Sequence, residues 1–160
     1  MSNSIITYSG KVNIKIVKDG TIIKDSTTHN QGNDPLFYFL CCCLLGSYVE
    51  ANAPKYIKLI RKVGEDETLT PAIPIIKQST PIKDTNDNYQ VSFSSIVEGS
   101  IIGNNTKVIG LNLYSQNNVT LDSSNGMATI MFSEPMETPL DANNTSMYVT
   151  WTMSFENKTE

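Results

Sequence analysis

The segment Ser146–Phe155 alternates without a break: Met147, Val149, Trp151, Met153 and Phe155 on one side, Tyr148, Thr150, Thr152 and Ser154 on the other. Successive side chains leave an extended strand on opposite sides, so this period of two marks a strand buried on one face. Such a face must be covered, and the chain supplies the cover by repeating the pattern. Val12, Ile14 and Ile16 alternate with Asn13 and Lys15 within Lys11–Lys18. Tyr89, Val91 and Phe93 alternate with Gln90, Ser92 and Ser94, and Lys107–Tyr114 aligns Ile109, Leu111 and Leu113. Lys55–Lys62 and Met127–Phe132 read as further strands, the second apolar enough to be covered on both faces. Asp19-Gly20 predicts a tight hairpin into a returning strand at Thr21–Thr28, followed by a polar loop at His29–Asn33. Turn clusters at Gly103–Asn105, Asn117–Asn118, Ser123–Gly126 and Asp141–Asn144 separate the later runs. Short strands at this spacing predict a mainly β chain: a single antiparallel β-sandwich domain over residues 1–160 with one short buried α-helix.

That helix is expected at Asp34–Gly46, the one stretch that abandons the period of two. Asp34 suits the N-cap, Pro35 the first helical position and Gly46 the left-handed terminus. Leu36, Phe39, Leu40, Cys43 and Leu44 form one face, and Phe37, Cys41, Cys42 and Leu45 the other. A helix apolar all round belongs in a core or under a partner, and this one is shorter than the roughly 20 residues a bilayer crossing needs. Phe37, Cys41 and Leu45 are therefore candidate interface residues.

Pro71–Pro81 is an extended, proline-bearing arm or edge segment, because proline removes ladder donors. Ordering each backbone residue costs about 1–2 kcal/mol, and burying Ile73, Ile75 and Ile76 returns about 5–9 kcal/mol in total. The balance predicts an arm that is ordered by a neighbouring subunit, with Ile73, Ile75 and Ile76 as its contact residues.

Little in the sequence points to chemistry. The net charge is −4 and Arg61 is the only arginine, so no nucleic-acid surface is expected. The first residues lack a charged and apolar leader, which predicts free thiols at Cys41, Cys42 and Cys43. Adjacent helical residues point about 100° apart, so the three cysteines cannot converge on a metal. Asp84-x-Asn86-x-Asn88 imitates the start of a calcium loop, but Tyr89 stands where glycine is needed and Ser95 where glutamate is needed. His29, the single histidine, has no nucleophile motif beside it. The expectation is a protein without enzymatic activity, metal or cofactor.

Three stretches together resemble small structural proteins of tailed bacteriophages, the head-fibre, decoration, neck and tail accessory proteins. The first runs from the hairpin through His29-Asn-Gln-Gly-Asn-Asp-Pro-Leu-Phe37 to Pro54-Lys-Tyr-Ile-Lys-Leu59. The second is Val108-Ile-Gly-Leu-Asn-Leu-Tyr-Ser115. The third is Ala128-Thr-Ile-Met-Phe132 with the ending Tyr148–Asn157. The resemblance implies a virion component, made in the host cytoplasm, that binds copies of itself and other virion proteins, with no nucleic acid or membrane as partner. The alternative expectation is a carbohydrate-binding β-sandwich module, with Tyr148 and Tyr114 as candidate stacking rings. A third is a hydrolase using His29 with a serine or cysteine.

Overall fold

The computed structural model describes residues 4–32, 53–86, 88–115, 127–139 and 141–159. The segment expected to be helical, with Phe37, Cys41 and Leu45, lies outside the described residues. The fold is the expected antiparallel β-sandwich.

The first sheet places β1 (Ser4–Lys18) between β2 (Thr21–Gly32) and β11 (Thr145–Thr159), and β11 in turn beside β8 (Tyr89–Glu98). The second sheet runs β3 (Tyr56–Val63), β9 (Lys107–Tyr114), β10 (Ala128–Glu137). Between β8 and β9 lies the single-turn helix α1 (Gly99–Ile102). Asp19 and Gly20 both take positive φ, 48° and 78°, which is the backbone a two-residue hairpin turn requires.

The two sheets are joined along both long sides. On one side β2 does not stop at Thr28 for a loop. It stays with β1 as far as the Gly10–Asn30 pair, then Gln31 and Gly32 pair with Thr129 and Ala128 of β10. The strand continues because its edge-forming groups find a second ladder where the first one ends.

On the other side the proline-bearing segment forms a strap. It follows β4 (Asp66–Leu69), which pairs along β3. Thr70 N–H donates to the Leu59 carbonyl at 3.0 Å, and Leu59 N–H donates to Thr70 Oγ1 at 2.9 Å. β5 (Ile73–Pro74) pairs with β3 and Ile75 N–H donates to the Lys55 carbonyl at 2.8 Å. The next amide, Ile76 N–H, already donates to Ser94 of β8 in the other sheet at 2.9 Å. β6 (Lys77–Gln78) and β7 (Ile82–Lys83) then run along β8. The strap changes sheet between Ile75 and Ile76 and covers an edge strand in each. Its prolines fit there, since an edge segment spares the ladder donors they lack.

The core lies between the sheets. Val12, Ile14 and Ile16 of β1, Met147, Val149, Trp151 and Met153 of β11, and Phe93 and Val97 of β8 meet Ile57, Leu59, Leu111, Leu113 and Ile130 from the opposite sheet. Strand β10 outlasts the expected Phe132 by making a bulge: Met131 opposes Gly110, and pairing resumes only at Met136 with Val108. Pro135 sits inside that bulge, a position where its missing N–H interrupts nothing.

Candidate functional site

The three isoleucines of the strap have separate fates. Ile73 is 1% exposed and belongs to the chain's own core, Ile75 is half-buried against it, and Ile76 is 60% exposed. Ile73 is therefore not an interface residue. The expectation of an arm held only by a neighbour is corrected as well, because the backbone bonds to both edge strands supply the order that side-chain burial alone did not.

The amide of Ile76 joins the strap to β8 of the first sheet, whose outer face carries apolar side chains of its own. Ser92 and Thr152 bond through their hydroxyls at 2.9 Å, and Ser94 and Thr150 at 3.3 Å, so this face is mostly a polar lattice. One row breaks it. Asp25 opposes Lys15, Lys15 opposes Tyr148, and Tyr148 opposes Ile96. Lys15 and Asp25 pair at 3.5 Å. Tyr148 is 44% and Ile96 40% exposed. The Ile76 amide bond to Ser94 brings the strap to the edge of β8 next to Ile96. The row thus grades from a charged pair to the apolar pair Tyr148 and Ile96, with exposed Ile76 on the strap that bonds the neighbouring Ser94. Ile96 was not singled out from the sequence, yet it occupies the polar parity of Ser92 and Ser94, and that misfit was the available signal.

Tyr114 is fully buried and cannot stack on a ligand. Strand alternation turns Lys58, Asn112 and Tyr114 away from the core, onto the outer face of the second sheet, where they are 5%, 1% and 0% exposed. Asn112 Nδ2 donates to the Tyr114 hydroxyl at 2.8 Å, and Lys58 Nζ stands 5.3 Å from the Tyr114 ring centroid. Burial pulls the Lys58 ammonium below the ordinary lysine range.

The remaining candidates serve the fold. Asp84 Oδ1 accepts from the amides of Asn86 and Asn88 at 2.8 and 2.9 Å, and Oδ2 from Gln90 Nε2 at 2.9 Å. The calcium-like motif is an Asx turn whose carboxylate is occupied in closing the loop. The Asn88 amide above all, with Asn86 and the two side-chain amides, holds the Asp84 carboxyl below the usual range against a smaller opposing effect of burial. No cluster of three metal-ligating side chains occurs among the described residues. His29 is exposed on β2 opposite Lys11.

A polar cleft of about 410 Å³ opens between α1 and the loop before β11, lined by Glu98–Ser100, Asn104 and Ala142–Ser146. A Cβ on Gly99 would lie 1.9 Å from the Ala142 carbonyl oxygen, so only glycine allows this approach. The Asn104 carboxamide accepts from Ala142 N–H at 2.8 Å and ties the loop down. Among the described residues that line the cleft there is no aromatic ring.

Neither a family model nor a curated protein nor a solved structure matches this chain.

Proposed function

We propose that this chain is a structural component of a bacteriophage particle that works by self-assembly and by binding other virion proteins. The observation that carries the assembly part is the apolar corner formed by the exposed cross-strand pair Ile96 and Tyr148, with exposed Ile76 on the adjoining strap. Aromatic and aliphatic groups in such a corner are the anchors that protein interfaces desolvate, and the neighbouring Lys15–Asp25 pair fits the polar rim. The assignment to a virion rests on the resemblance of the hairpin, the Val108–Ser115 strand and the closing Tyr148–Asn157 strand to tailed-phage proteins.

Light scattering across a concentration series tests the assembly reading. The expected result is reversible self-association of the native chain, weakened by Ile96→Lys and by Tyr148→Ser with unchanged circular dichroism. A chain that stays monomeric and captures no protein from purified particles of its phage would overturn it. A carbohydrate-binding module is the second reading, supported by the exposed Tyr148 ring amid hydroxyl side chains. A glycan array that binds the native chain but not Tyr148→Ala would favour it.

A further inference from the structure

Lys58 and Asn112 are direct cross-strand partners on β3 and β9. Opposed residues of an antiparallel pair hold their Cβ atoms about 4.5–5.5 Å apart, which leaves the lysine stem ample length to bring Nζ to the asparagine amide carbon. Both side chains are almost completely withdrawn from water. We propose that Lys58 and Asn112 join in an intramolecular isopeptide bond that ties β3 to β9 covalently.

Each requirement of that reaction has a counterpart at the site. The amine must be neutral to attack, and burial disfavours its charged form. The competing reaction is hydrolysis, and exclusion of water suppresses it. The two groups are fixed on adjacent strands of one sheet, which replaces a bimolecular encounter by an intramolecular one. The Asn112 amide is oriented by its Nδ2 bond to the Tyr114 hydroxyl, while its Oδ1 accepts no hydrogen bond and leaves the carbonyl open to approach. The Tyr114 hydroxyl touches the nitrogen that must leave. In the step, Nζ of Lys58 forms a bond to Cγ of Asn112 and the Cγ–Nδ2 bond breaks. Tyr114 relays a proton from Nζ to Nδ2, and the nitrogen departs as ammonia, which leaves as ammonium with the proton first carried by the lysine. No oxidant, reductant or metal enters the balance.

The full-length chain tests this by intact mass under denaturing conditions, fresh and after prolonged incubation at mildly alkaline pH. The expected mass is below that of the sequence by one ammonia. Tryptic digestion should give a branched peptide joining Lys58 to Asn112. Lys58→Arg and Asn112→Ala should each restore the sequence mass, Asn112→Asp should lose water in place of ammonia, and Tyr114→Phe should slow the loss. A native chain at the sequence mass in both samples overturns the proposal. So does a deficit that persists in Lys58→Arg, or one that maps to succinimide formation at Asn125-Gly126.

Discussion

Trp151 stands opposite Val12 on one neighbouring strand and Phe93 on the other, with no exposed surface. Its place in an alternating run foretold that burial. Trp151→Ala should cost about 3–5 kcal/mol in equilibrium urea unfolding, because the cavity cannot collapse between two fixed sheets. Asp84 makes a prediction in pH. Its folded carboxyl titrates below the ordinary value, so on acidification the unfolded chain takes up the proton first. The stabilisation is complete above the ordinary carboxylate range and is lost as pH falls through the lower, folded value. Calorimetry should therefore show a smaller loss of thermal stability on acidification in Asp84→Ala than in the native chain.

The strap shows why an element cannot be judged by its side chains alone. Eleven residues with three prolines and three isoleucines looked too costly to order within one chain. The missing contribution is main-chain: amides of Ile75, Ile76 and Ser79 donate to the carbonyls of Lys55, Ser94 and Ser92 at 2.8–2.9 Å. Hydrogen exchange on the monomer should find the Ile75, Ile76 and Ser79 amides protected. Exchange there as fast as in a free peptide would restore an arm ordered only by a neighbouring subunit. Two substitutions separate the strap's structural and surface residues. Ile73→Ala should cost about 2–5 kcal/mol, a core truncation, whereas Ile76→Ala should fall within about 0.5 kcal/mol of the native stability.

At the scale of the molecule, the sandwich class and most strand positions were legible in the sequence. Strand β9 alternates in sequence but is buried on both faces, whereas the period-two runs in β1, β8 and β11 state which face is buried. These are local properties, fixed by alternation and turn stereochemistry before any tertiary contact forms. The Asp84 turn was readable for the same reason. Three features were decided by the fold alone. His29–Gly32 reads as a polar loop, yet becomes the corner that joins the sheets, because its partner on β10 lies about a hundred residues along the chain. The strap gained its order from edge strands that exist only once both sheets are in place. The site residues divided likewise: neighbours in sequence, Ile73 and Ile76 went to core and surface because the strap passes from one sheet to the other between them. Tyr148, Ile96 and Lys15 became one row, and Lys58 and Asn112 one buried pair, only through cross-strand register. Register is a long-range quantity: it depends on which strands meet and where bulges fall, and no single stretch of sequence contains that information.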